Sequence, residues 1–174
     1  MSTLQLVKTL HFSTVKTPIG SLLIIADEQA VYFAEYIDRP ELKSEIERLK
    51  LKTGANMEAG KTAAASAVEE EISLYFKGEI QQFKTPIVFL GTPFQNQVWE
   101  ALLQIPYGQT RSYQEIAIQI GKPTGYRAVA QANGANHLPI IIPCHRVINA
   151  NGGLGGYSGT LERKTWLLHH ENQN

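Results

Sequence analysis

Cysteine occurs once in the 174 residues, at Cys144. A lone thiol excludes an intramolecular disulfide and any multi-cysteine zinc site, and it fits a reducing cytoplasm. Long apolar runs are missing too. The longest aliphatic stretches reach about four or five residues, far short of the ~20 that a membrane helix needs, so no membrane partner is expected. The start, MSTLQLVKTLHF, lacks a charged segment followed by a sustained apolar one, so no secretion signal is expected. Nor is there an excess of either charge, since 16 Lys+Arg face 16 Asp+Glu. Residues 1–89 hold 10 Lys+Arg against 12 Asp+Glu, and residues 90–174 hold 6 against 4. This balance neither demands nor forbids DNA. If DNA binds, a few placed cations and helix amino termini must hold it, with modest affinity and a shallow salt dependence.

What is present reads as an ordinary globular α/β chain, 43% hydrophobic and 18% charged. Residues 1–37 predict a β-meander broken at "PIG" and "DEQ". "PELKSEIERLK" predicts a helix, because Leu42, Ile46 and Leu49 fall at i, i+4 and i+7. Residues 53–61 read as a loop, residues 62–77 as a helix closed by Gly78, and 79–91 as a link between two parts. "TPFQ" at 92–95 and "SYQE" at 112–115 are capping boxes that should each start a helix. Phe94, Val98, Trp99 and Leu102 form the first one's buried stripe. Gly121 ends the second, and Thr124 is placed to cap a third from about Gly125 to Ala132. Two short helices joined by a Gly/Pro turn make a helix-turn-helix candidate. "LPIII" predicts a short buried strand leading to Cys144, and "TLERKTWLLHHE" a final helix.

A cysteine after three isoleucines is ordinarily an inert apolar residue. Three features argue otherwise. Pro143 ends the expected strand, which would leave Cys144 at a sheet rim. His145 and Arg146 bring positive potential that favours thiolate. Glycines at 152, 153, 155, 156 and 159 let a loop fold over the site. Neighbours in an extended segment point to opposite sides, so a direct Cys144–His145 contact would need a sharp turn or a bridging water.

The stretch "PCHRV", with "TPFQNQVWEALLQIPYGQTRSYQEIA" before it and "GYSGTLERKTWLLHHE" after it, closely resembles the O6-alkylguanine-DNA alkyltransferases. The likeness runs from Thr92 to Glu171; over residues 1–89 it is one of layout. It implies an amino-terminal ribonuclease H-like sheet with helices (1–89) and a mainly helical carboxy-terminal domain with a helix-turn-helix (90–174). It further implies single-turnover repair of O6-alkylguanine, with O4-alkylthymine as a candidate second substrate. Cys144 would accept the alkyl group, His145 would deprotonate it through water, and Glu171 would orient His145. By the same resemblance Tyr113 would donate a proton to the base, and Asn136 would be the hinge that ties the recognition helix to the cysteine loop. Arg127 would fill the space left by the flipped base, with Ser112 and Tyr126 beside the DNA in the minor groove. Tyr157, Ser158, Gly159 and Pro139 would wall the substrate pocket. The implied partner is double-stranded DNA, bound by a cytoplasmic monomer with no cofactor.

Departures limit the transfer. Some relatives bind zinc in the amino-terminal half, but residues 1–89 contain no cysteine, so no metal is expected. His137 stands where many members have proline, and Tyr126 is bulkier than its counterparts. Asp27 and Asp38 are too isolated to suggest a nuclease metal pair. The rivals are a non-catalytic helix-turn-helix regulator, which has no need of Cys-His-Arg and a distal Glu, and a cysteine hydrolase. The hydrolase would recruit His11, His137, His169 or His170, none of which sits in a supporting motif.

Overall fold

The computed structural model describes residues 8–174, so most of the stretch inspected for a leader lies outside the described residues. Three antiparallel strands open the chain: β1 (Thr9–Thr17), β2 (Gly20–Ala26) and β3 (Val31–Tyr36). Thr17 faces Gly20 across the first turn, where a φ of +123° requires glycine. A fourth strand, β4 (Asn56–Ala59), pairs parallel with β1 and gives the sheet order β3-β2-β1-β4. The sequence reading took this segment for a loop. Its side chains are mostly exposed and its polar/apolar alternation covers only four residues, too short a run to mark a strand without the backbone ladder.

Alternation along the strands divides the core in two. Leu10, Ile25 and Phe33 meet Leu49 of α1 (Leu42–Thr53) on one face. Val15, Leu22, Ile24, Ala34 and Tyr36 meet the other face's cover, α2 (Ala63–Phe76), in a cluster that continues into the second half of the chain. The outer edge of β3 is not open. Val31 exchanges backbone hydrogen bonds with the 86–88 segment, and Ala34 N–H donates to His137 C=O at 2.8 Å.

Both capping boxes form as the sequence predicts. Thr92 with Gln95 starts α3 (Pro93–Leu103), and Ser112 with Glu115 starts α4 (Tyr113–Gln119). The next helix, α5 (Tyr126–Gly134), differs from the expectation. Its N-cap is Gly125, with no side-chain cap from Thr124. The Gly125 N–H instead donates to Lys122 C=O at 2.7 Å, so the tight turn itself sets the start. α3, α4 and α5 pack together, and Trp99 Nε1–H fixes α3 to Ala132 C=O at 2.8 Å. Short strands β5 (Arg111–Ser112) and β6 (Val147–Ile148) pair in parallel, and α6 (Leu161–Gln173), capped by Thr160, ends the chain.

The strand expected at "LPIII" is not formed. Pro139 and Pro143 have no N–H for a ladder, Ile140 takes a φ of +73°, and Ile142 N–H donates back to Leu138 C=O at 2.8 Å. The chain reaches Cys144 through a turn.

Candidate active site

Cys144, His145 and Arg146 form one turn of 3-10 helix. That is the sharp turn which adjacent cysteine and histidine require. Cys144 is not at a sheet rim as its sequence suggested, because with no strand there is no rim. It is 1% exposed, inside the larger core cluster. Two asparagines hold the backbone of this segment. Asn133 Nδ2 donates to Cys144 C=O at 3.2 Å. Asn136 Nδ2 donates to Ile142 C=O at 3.1 Å, while its Oδ1 accepts from Leu138 N–H at 3.0 Å. Asn136 thus ties the end of α5 to the segment ahead of the cysteine. Burial pushes the thiol up to about 11, against the Asn136 amide and the Lys164 charge, which pull it down. The expectation that neighbouring charge favours thiolate at rest is therefore corrected, since desolvation of the anion outweighs the nearby cations.

Arg146 does not serve the thiol because Glu171 engages it. The Glu171 carboxylate, on α6, accepts five hydrogen bonds. They come from Tyr75 Oη at 2.6 Å, His145 Nε2 at 2.7 Å, Arg146 Nε and an Arg146 terminal N–H at 2.9 Å each, and Gly108 N–H at 3.2 Å. Burial alone would raise this carboxyl, but the His145 and Arg146 hydrogen bonds and the Arg146 charge hold it well below the usual carboxylate range. His145 is fully buried. Burial pushes its imidazole down, opposed by Glu171. Since Arg146 already balances the carboxylate, the imidazole stays neutral. Its Nε2–H then faces Glu171, and its Nδ1 has no partner among the described residues.

Joined to this turn through Asn133 is a cleft of about 460 Å³ whose walls include Tyr113, Tyr126, Arg127, Asn133, Tyr157 and Ser158. Tyr113, the first residue of α4, is buried, and its Oη reaches Gly156 C=O only at 3.4 Å. Burial raises its pKa, so the phenol keeps its proton. Ser112 is occupied locally, capping Glu115 N–H and donating to the Glu115 carboxylate at 2.8 Å. Tyr126 is 42% exposed, and the Arg127 guanidinium lies 5.8 Å from its ring centre. Cys144 and His145 lie behind this wall and do not line it, and neither do Pro139 and Gly159. Pro139 is buried in the turn before Cys144, and Gly159 packs between the rings of Tyr157 and Tyr36.

Residues 93–173 match the family described as 6-O-methylguanine DNA methyltransferase, DNA binding domain. Over 164 residues the chain is 40% identical to the constitutive methylated-DNA–protein-cysteine methyltransferase of Bacillus subtilis, covering 92% of this chain and 94% of that protein. The chain belongs to the methylated-DNA–protein-cysteine methyltransferase family. Its fold matches the crystal structure of Mycobacterium tuberculosis O6-methylguanine methyltransferase with a TM-score of 0.81 at 39% identity, covering 94% of this chain and 93% of that one. The same organism's OGT in complex with DNA gives 0.79, with equal identity and coverage.

Tyr75, Gly108, Asn133 and Lys164 of this methyltransferase join the site without having been singled out by their sequence pattern. Lys164 is buried, and its ammonium donates to the carbonyls of Val147, Leu154 and Gly156, which anchors the loop after the cysteine to α6. Burial lowers it to about 8. A pattern signal existed for two members of the network. Lys164, Leu167 and Glu171 fall at i, i+3 and i+7 on the buried side of α6, so both charges sit on an apolar stripe. Tyr75 and Gly108 carried no comparable signal.

The one grouping with metal-like donors among the described residues is Glu35, Glu45 and His137. Arg39 already bridges both carboxylates, which makes a structural ion-pair cluster of it. Asp27 is held by Lys8 and Tyr32, and Asp38 by Arg163. No helix among the described residues is long and apolar enough to cross a membrane.

Proposed function

We propose that this chain repairs DNA by moving an alkyl group from O6 of guanine to Sγ of Cys144, once per molecule, with O4-alkylthymine as a second substrate. The observation that carries the reading is His145. Its Nε2 is pinned to Glu171, while its unengaged Nδ1 sits on the same turn as the thiol. A neutral imidazole in a fixed tautomer is what a general base requires. The thiol proton passes through a water to Nδ1 as the S–C bond forms. The C–O6 bond breaks, its electron pair moves onto the guanine, and Tyr113 gives its proton to the base as charge develops there, the proton taken up by His145 returning to the phenolate through solvent. The product is a thioether with no acidic proton, so the thiol is not regenerated.

An atom inside the duplex stack is out of reach, so the lesion rotates out at a cost of a few kcal/mol. The cleft of about 460 Å³ suits a flipped base. Arg127 enters the gap left in the stack. The α4–turn–α5 unit acts as a helix-turn-helix with α5 in the minor groove, an arrangement suited to searching for damage without reading sequence. Ser112 and Tyr126 border the same face, Tyr157 and Ser158 enclose the alkyl group with Gly159 backing the Tyr157 ring and Pro139 in the turn before the cysteine, and Asn136 couples α5 to the cysteine turn. The protein works as a monomer in two parts, a ribonuclease H-like sheet domain up to residue 89 and the DNA-binding domain from residue 90.

Intact-mass measurement after incubation with a duplex containing O6-methylguanine tests this reading. One methyl per chain at Cys144, absent in Cys144→Ser, is expected. No mass gain would favour a non-catalytic regulator, and repeated turnover of an ester or amide would favour a hydrolase.

A further inference from the structure

Tyr36 ends β3 in the amino-terminal half, yet it packs against the loop that closes on the cysteine. Its side chain is 0% exposed. A Cβ added at Gly159 would lie 3.0 Å from Tyr36 Cε2 and 2.7 Å from Tyr157 Cε1, so the two rings grip the loop backbone between them. The Tyr36 ring has no freedom to swing aside. The Arg163 guanidinium lies 4.0 Å from its centre. Arg163 is itself fixed by a two-point contact with Asp38, at 3.0 and 2.6 Å, and by donation to Ile19 C=O at 2.7 Å.

The polar atoms point the same way. The buried hydroxyls of Tyr36 and Tyr157 lie against each other, so the polar ends of the two rings as well as their edges join the sheet to the loop. Burial keeps both phenols protonated.

We propose that Tyr36 is a specificity-determining residue of the alkyl pocket. From the amino-terminal sheet it backs Tyr157 and Gly159 and limits the size of O6-substituent that can reach Cys144. This rests on the alkyl-transfer reading above, and it gives the sheet domain a part in substrate choice.

The test uses the full chain and one duplex sequence carrying either O6-benzylguanine or O6-methylguanine, with single-turnover rate constants measured for each. Tyr36→Leu, which removes the ring, should raise the benzyl-to-methyl rate ratio about tenfold, in the range by which a pocket discriminates small apolar groups. Tyr36→Phe keeps the ring and should hold the ratio within about twofold of wild type. Gly159→Ala forces the two rings apart from the loop and should lower the ratio, and it carries the test alone if Tyr36→Leu does not fold. An unchanged ratio in the folded variants, with normal alkylation of wild type, overturns this proposal only. Absence of any adduct on wild-type Cys144 overturns the alkyl-transfer reading together with it.

Discussion

Replacing Glu171 by glutamine keeps the side chain's shape and removes its charge, which tests the network that holds the cysteine turn. Five donors converge on this carboxylate. Arg146, only 6% exposed, would be left without a counter-ion. Breaking a buried ion pair on one side costs about 3–5 kcal/mol, a large share of the about 5–15 kcal/mol that holds a domain together. For a chain of this size each kcal/mol moves the midpoint by about 2–4 °C, so Glu171→Gln should melt roughly 6–20 °C below wild type at pH 7. The sign with pH follows from linkage. The folded carboxyl sits well below its ordinary 4.5, so its contribution is complete above that pH and is lost as the pH falls through and below it. The gap between wild type and variant should therefore narrow below pH 4.5. Alkylation by the folded variant should slow by about a hundredfold or more, the usual worth of an oriented general base. Thermal melts at several pH values check the first two outcomes. A midpoint difference under about 2 °C at pH 7 would refute the claim that Glu171 pins the turn.

Tyr113→Phe should keep the fold and slow alkylation about tenfold or more, because the ring packing persists while the donor to the base is lost. Single-turnover rates check this, and an unchanged rate would remove the proton-donor role. Arg127→Ala should alter stability by less than about 0.5 kcal/mol, since the side chain is exposed. It should nevertheless slow repair of duplex DNA far more than reaction with free O6-benzylguanine, and equal losses on both would sink the finger assignment.

Which parts of this architecture were legible in the sequence depended on how far apart the interacting groups lie. Thr92 with Gln95 and Ser112 with Glu115 bond within four residues, so the spacing of their side chains carries the whole interaction. The meander was readable for the same reason, because its strands follow one another across short turns. β4 was not, since its partners in β1 lie 47 residues back and four residues with only Met57 half-buried record little of the pairing. Thr124 failed as a cap because the Lys122–Gly125 backbone bond already closes that turn. "LPIII" looked like a strand by composition, but two prolines and the left-handed Ile140 turn it back on itself. At the site, the resemblance supplied Cys144, His145 and Glu171. Tyr75, 96 positions from Glu171, was indistinguishable from a core aromatic.

The thiol itself presents a last consequence. In the fold, Arg146 is matched to Glu171, and burial pushes Cys144 up to about 11. At pH 7 only about one molecule in ten thousand then carries thiolate. The resting protein should resist ordinary electrophiles, because the reactive form is both scarce and enclosed. Fast transfer to the right substrate requires that His145 take the proton while the S–C bond forms, so ionisation belongs to the loaded pocket and not to the empty one. Iodoacetamide labelling should accordingly be slow at pH 7 and rise about tenfold per pH unit toward pH 9, in step with ultraviolet thiolate absorbance. Thiolate absorbance already complete at pH 7, or labelling that is flat across this window, would mean that the cations near the sulfur outweigh its burial. Deprotonation would then precede substrate binding.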